Sequence, residues 1–335
     1  MEGDTDGAAH PPPHPSMNAF TSCDSLWRKR LKELSSVWPD FVGGRTVALH
    51  KTRVASRRIR EALPVVGVSA SPAKVKKLNR KMRELTRSLG PIRELDVELD
   101  LLDDESKTDG VSGRAIEMVR REVASRRQAL RRDLAENAPI GDLKKLIRKL
   151  ERVGKVDAHK GKKGRKQEAQ WRGVLAARLL RRAKTLRAAL DDAGSLYAPE
   201  RIHNVRIAVK KLRYALEIAH DAGLARAGIH VRMLKRQQER LGRLHDLESL
   251  LRHVREVEGS PGVGSRVNDL TAYADTLERD CRRLHAGFVE HRSELGDYIK
   301  EVRQQLIPAL TTPSRRQARV PVAARPAAGL RERAK

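Results

Sequence analysis

Cysteine is almost missing from this chain: two occur in 335 residues, Cys23 and Cys281, far apart. That excludes a disulfide scaffold and fits a reducing compartment. Aromatic residues make up only 3% (three Phe, four Tyr, three Trp), too few to furnish the stacking platforms of a single-strand nucleic-acid binder. No apolar run approaches the roughly 18 residues of a membrane span; the longest, Ala62–Ala70, is interrupted by Pro64 and Ser69. No basic segment followed by an apolar one opens the sequence, so no secretory signal is expected. These absences together predict a soluble, cytoplasmic protein.

Chemical motifs are missing too. There is no Walker loop, no Gly-rich dinucleotide fingerprint and no Gly-x-Ser-x-Gly elbow. No Cys/His spacing suits zinc; His10 and His14 are four apart, but in a stretch that reads as disordered. The acidic run Glu94, Asp96, Glu98, Asp100, Asp103 and Asp104 is spread over several helix faces. It reads as a solvated face or an internal counter-charge rather than a magnesium site. The expectation is a protein that is not an enzyme, with no catalytic residue, metal or cofactor.

What is abundant is charge and helix-forming residues. Charged residues are 34% of the chain and the net charge is +27, which points to an anionic partner. The 152–166 stretch and the 311–335 tail each contribute seven Lys/Arg against one acid, but most of the surplus lies outside them. Arg, Lys, Glu, Leu and Ala dominate, and strand-like alternation is nearly absent, so an all-α fold is expected. The length exceeds the usual limit for one core, which predicts two packed units. The expected division is a disordered leader over 1–22, a first helical repeat over 23–153, a solvated basic linker over 154–168, a second repeat over 169–310, and a basic disordered tail over 311–335. Helices are expected near 24–37, 45–63, 72–89, 91–104, 112–135 and 141–152. A second set is expected near 167–191, 199–221, 226–241, 243–258, 263–292 and 296–309. Ser71-Pro72 has the form of a helix N-cap, as does Ala198-Pro199 more weakly.

The two sets share a sequence pattern. His50, Arg53, Arg57, Arg58 and Arg60 recur as His203, Arg206, Lys210, Lys211 and Arg213, each 153 positions on. Leu89-Gly90-Pro91-Ile92-Arg93-Glu94-Leu95-Asp96 recurs as Leu241-Gly242-Arg243-Leu244-His245-Asp246-Leu247-Glu248, and between these blocks Arg80 and Arg83 align with Arg232 and Lys235. So many matches in order predict a tandem duplication of a helical unit of about 130 residues.

At about 100° per residue, the positions 3, 7 and 10 after each histidine fall at roughly 300°, 340° and 280°. The histidine and three cations therefore share an arc of about 80° along about 15 Å of helix. In the second unit Ile202, Val205, Val209, Leu212 and Leu216 occupy a separate arc, the core stripe. The same arc of the first unit holds Leu49, Thr52, Ser56, Ile59 and Leu63. Neither 45–60 nor 201–216 contains an acid. Solvated helix faces mix signs, because like charges at i,i+4 destabilise by about 0.2–0.5 kcal/mol. Repeated retention of that repulsion points to an anion-binding face, and arginine's fork matches phosphate oxygens bidentately. The histidines are open to two readings, a structural hydrogen bond or a phosphate contact. The Leu-Gly blocks read as helix ends at which Gly90 and Gly242 permit a turn.

These motifs resemble the CHAD family, an α-helical domain named for its histidines. The segment His50-Lys51-Thr52-Arg53-Val54-Ala55-Ser56-Arg57-Arg58-Ile59-Arg60 is similar to the family's first half. Ile202-His203-Asn204-Val205-Arg206 through Lys210-Lys211-Leu212-Arg213-Tyr214 is similar to its second. The likeness extends over about residues 25–309, with two departures: Glu94 in place of an Asp, and the long basic linker. The resemblance implies two pseudo-symmetric antiparallel helical bundles facing each other across a basic channel. It also implies binding of inorganic polyphosphate and association with polyphosphate granules, by a stand-alone member lacking the Glu-x-Glu-x-Lys strands of a triphosphate-tunnel domain. On this reading His50, Arg53, Arg57, Arg58, Arg60, Arg80, Arg83, His203, Arg206, Lys210, Lys211, Arg213, Arg232 and Lys235 contact the ligand. The rival reading is a DNA- or RNA-binding protein using the same faces, since charge alone does not separate one phosphate row from another. A membrane-surface role is disfavoured because the stripes adjoin Val/Ile/Ala core positions rather than an exposed Trp/Phe face.

Overall fold

A computed structural model describes residues 23–42, 45–106, 111–137, 143–154, 162–261 and 263–311. The expected leader, the first part of the linker and residues 312–335 of the tail lie outside them. Among the described residues the chain is helical with no strand. The helices are α1 (Cys23–Val42), α2 (Thr46–Val66), α3 (Pro72–Ser88), α4 (Gly90–Glu105), α5 (Gly113–Asn137), α6 (Leu143–Gly154), α7 (Lys162–Ala193), α8 (Pro199–Asp221), α9 (Ala227–Glu258), α10 (Val267–Glu290), α11 (Arg292–Glu301) and α12 (Ile307–Thr311). A π-helical stretch, Val302–Leu306, joins the last two.

The apolar arc of α8 behaves as its spacing dictates: Ile202, Val205, Val209, Leu212 and Leu216 are all buried. On α2 the same arc buries Thr52 and Ser56 among Leu49, Ile59 and Leu63. Ser56 Oγ lies 2.9 Å from Thr86 Oγ1 on α3, and Thr86 donates to the Met82 carbonyl. Ser56 and Thr86 thus bring α2 close to α3, with their hydroxyls paired to each other and to backbone. Ser71 caps α3 by accepting from Lys74 N.

Two boundaries differ from expectation for local reasons. Residues 227–258 form one helix, not two. Gly242 keeps helical geometry because buried Leu241, Leu244 and Leu247 repay the roughly 1 kcal/mol that a helical glycine costs. In the first unit Pro91 follows the glycine, and proline's missing N–H and its clash with the carbonyl four residues back break the chain into α3 and α4. The left-handed turns fall instead at Gly194, Gly223 and Gly264. Finally, α7 starts at Lys162, inside the stretch expected to be linker. Gln167 donates to Ser69 Oγ at 2.9 Å and Glu168 pairs with Arg172, so these residues serve as its first turns.

The buried apolar side chains form one continuous cluster from Leu26 to Leu310 rather than two separate cores. Helix α2 packs on α1 and α3 and also on α7 and α8; α9 packs on α8 and α10 and also on α4 and α5. This interlocking brings the basic stripes of α2 and α8 together.

Candidate basic site between two helices

The cations on α2 and α8 are close enough to oppose one another's charge. Burial, then Arg206, Arg57 and Arg53, push the Lys210 ammonium from its ordinary 10.5 down to about 6. Burial and Arg57 bring Arg53 down to about 10, with Arg206 adding to the effect. His50 is lowered by partial burial and by Arg93, Arg53, Arg57 and Lys210. His203 is lowered by burial, Arg206 and Lys210. The structure therefore gathers His50, Arg53, Arg57, His203, Arg206 and Lys210 into one cluster.

Acids hold the two innermost arginines in place. Arg53 donates from Nη1 to the Gly90 carbonyl at 3.1 Å and from Nη2 to Glu94 Oε1 at 3.4 Å. Arg206 has Asp246 Oδ1 at 3.7 Å. The Leu-Gly blocks thus supply the carboxylates that orient the stripes. Arg57 and Lys210 have no acid partner among the described residues.

A second group lies further along α2. Burial, then Arg83, Arg57 and Arg87, lower Arg60. Burial and Arg182 lower Lys211, with Arg60 and Arg83 contributing. Glu61, 6% exposed, neutralises the helix α7 side: its carboxylate accepts from Arg178 Nε at 2.7 Å and from Arg182 Nε and Nη2 at 2.9 Å, which holds its pKa low despite burial.

Several residues expected to contact the ligand have partners within the protein or stand exposed. Arg58 donates through Nε to Glu217 Oε2 at 3.0 Å and also reaches Glu33. It sits about 80° around the helix from the histidine, outside the cation arc. Arg213, 9% exposed, pairs with Glu217 and with Gln238 Oε1 at 2.8 Å, its guanidinium 4.4 Å from the Tyr214 ring centre. Its counterpart Arg60 has Pro64 where Arg213 has Glu217, so only the second unit has a carboxylate one turn on to claim the guanidinium. Both arginines are ion-paired, tied with buried Arg30 into a network joining α1, α2 and α8. Arg80 and Lys235 are exposed and face Glu84 and Glu239 at 3.7 Å, one turn away on their own helices. Arg232 is exposed on α9.

The acidic run is distributed among separate partners, as internal counter-charge. Asp96 takes Arg127, Asp103 takes Arg120, and Glu98 accepts from Ser249 Oγ at 2.6 Å. Sequence reasoning missed Arg93, Arg87 and His245. Arg93 and His245 occupy the same place in the two Leu-Gly blocks, and that alignment carried the signal.

The CHAD domain family matches residues 25–255, a span holding both basic stripes and both Leu-Gly blocks. Among solved structures, the crystal structure of the CHAD domain from the plant Ricinus communis is similar. Its TM-score is 0.55 at 23% identity, over 80% of this chain and 92% of that one. No curated protein matches this chain. With most of its length matched, both stripes included, the chain belongs to the CHAD domain family.

Proposed function

We propose that this protein binds inorganic polyphosphate, without turning it over, in a channel between the basic faces of α2 and α8, which are the corresponding helices of two duplicated units. The observation that carries the reading is the crowding of cations where those helices meet: Arg57 and Lys210 have no acid partner among the described residues, and Arg206, Arg57 and Arg53 all act on Lys210. Self-repulsion built into a partly buried place is relieved by an anion, and a row of phosphates relieves it along the whole stripe. The ligand contacts on this reading are His50, Arg53, Arg57, Arg60, His203, Arg206, Lys210 and Lys211, with Arg83, Arg87 and Arg93 flanking them. Membership of the CHAD family supports the same partner, and a role at polyphosphate granules follows from it.

A chain without bases suits the site better than a nucleic acid. Among the described residues no Trp, Tyr or Phe is exposed: Trp27, Trp38, Phe41, Trp171, Tyr214, Tyr273 and Phe288 are buried, and Tyr197 and Tyr298 partly so. Base stacking needs open rings. The test is competition among long-chain polyphosphate, duplex DNA and single-stranded RNA at fixed salt, with orthophosphate release followed in parallel. Polyphosphate is expected to displace both nucleic acids and to survive intact. Preference for either nucleic acid, or phosphate release above that of an Arg57→Ala/Lys210→Ala control, would sink the reading.

A further inference from the structure

Behind the second stripe lies a chain of polar groups that the basic face does not account for. His203 on α8 places its Nδ1 3.3 Å from Nδ1 of His245 on α9, the ring centres 4.7 Å apart. Glu248 Oε2 lies 4.0 Å from the same His245 nitrogen. Glu248 Oε1 accepts a hydrogen bond of 2.9 Å from the Tyr197 hydroxyl. The first unit has Arg93 at the position of His245, so this arrangement belongs to the second unit alone.

Two neutral imidazoles that meet Nδ1 to Nδ1 share one proton between those atoms. Both rings are neutral near neutral pH: His245 is driven to about 3 by burial, Arg206 and His203, and His203 is lowered for similar reasons. Were the shared proton on His203, an unprotonated, electron-rich Nδ1 of His245 would lie beside the Glu248 carboxylate. His203 Nε2 would then be a bare acceptor, repelling an incoming phosphate oxygen. With the proton on His245, the N–H dipole lies close to Glu248 and points its hydrogen at the His203 lone pair. The remaining proton of His203 is then on Nε2, on the other side of the ring. The carboxylate, itself fixed by Tyr197, selects the second arrangement.

We propose that His245 is a positioning residue: it donates its Nδ1–H to His203 and so fixes His203 as the Nε2–H tautomer, a neutral hydrogen-bond donor for a phosphate oxygen at the head of the α8 stripe. Glu248 and Tyr197 hold His245 in that role. A neutral donor is what this place requires, because a further cation beside Arg206 and Lys210 would add to their repulsion. The identity of the acceptor rests on the polyphosphate reading; the tautomer does not.

The experiment begins with the unliganded full chain. Long-range NMR correlations between the imidazole nitrogens and their carbon-bound protons at about pH 7 are expected to show His203 unprotonated at Nδ1 and protonated at Nε2. A protonated His203 Nδ1 overturns the proposal, whether or not the protein binds polyphosphate. Next, His245→Phe keeps a ring and removes the donor. It should mix the His203 tautomers and weaken long-chain polyphosphate by about three- to tenfold, one hydrogen bond's worth. His245→Asn, which restores an N–H donor, should recover most of the loss. Tyr197→Phe removes only the hydroxyl that holds Glu248 and should shift the His203 signals the same way, which keeps the test intact if His245→Phe does not fold. Unchanged affinity in a folded His245→Phe overturns the positioning role. A wild-type protein with the Nε2–H tautomer and no polyphosphate affinity would refute the proposed function and leave the tautomer standing.

Discussion

On α2, Arg53 is fixed by a backbone carbonyl and a carboxylate, whereas on α8 its counterpart Arg206 has only Asp246, at 3.7 Å. The carbonyl is Gly90's, in the first turn after the break that Pro91 imposes; with Arg243 in that position, α9 runs through unbroken. One turn past the stripe the difference reverses. Glu217 captures Arg213 in the second unit, while Pro64 leaves Arg60 without an acid. Cation spacing is the same in both units, and the counter-charge around it is not. The first face keeps more of its arginines free, and the second holds a depressed lysine and a neutral histidine pair. Spacing establishes where charge stands, and its neighbours decide how much of it is available.

The largest effect expected is that of salt. If about six to ten phosphates are neutralised, affinity for polyphosphate should fall about 10³–10⁵-fold between about 50 and 200 mM salt, by analogy with duplex DNA. A nearly flat titration would remove both faces as the contact surface. Each cation deleted should reduce the log–log slope by about one.

Next in size are the single and double substitutions of Arg57 and Lys210. Each alanine should cost about ten- to a hundredfold in affinity if one chain spans both faces, as loss of a charged hydrogen bond does. Thermal stability should hold or rise, since a repulsive neighbour is gone. Two independent faces would predict instead that each single variant stays within about twofold, because the intact face still binds. Isothermal titration separates the two outcomes.

A third prediction concerns the ion pairs that join the units. Glu61→Gln leaves Arg178 and Arg182 without a carboxylate, whereas Glu217→Gln leaves Arg58 still paired with Glu33 and Arg30 still paired with Glu33 and Asp221. Glu61→Gln should lose about 3 kcal/mol in chemical denaturation and Glu217→Gln less. A larger loss for Glu217→Gln would show that Glu33 and Asp221 do not compensate for it.

Lys210 also gives a pH dependence with a definite sign. Its folded pKa of about 6 lies below the ordinary 10.5, so the unfolded chain holds more protons across that window. The stability tied to this group therefore rises with pH from about 6 to 10.5, and Lys210→Met should flatten that rise. Bound phosphate restores the ammonium, so wild-type binding should take up a proton near pH 7.5. Calorimetry in buffers of different ionisation heat measures it. The smallest effects belong to Arg80→Ala and Lys235→Ala, where exposed pairs predict affinity changes under about twofold.

Much of this was legible without coordinates. The apolar arc of α8 was found from its spacing alone, as was the cap at Ser71, because both depend on residues within a few turns of one another. Pairing His50 with His203 singled out α2 and α8, whose cations the fold brings together. The rest was not legible for physical reasons. The turn expected at Gly242 is absent because buried leucines on either side keep the helix going, and nothing in the spacing shows that Glu217 pairs with Arg58 and Arg213.

The sequence by itself determined the helices, the two cation stripes and the apolar faces beside them, since each follows from periodicity along a single helix. Only the tertiary structure decided which cations remain free. That depends on Glu217 drawing Arg58 and Arg30 from two other helices, and on Glu61 drawing Arg178 and Arg182 from α7, more than a hundred residues away. Local spacing governs which way a side chain points; charge is settled by whatever carboxylate lies within a few ångströms, and folding alone brings that neighbour there.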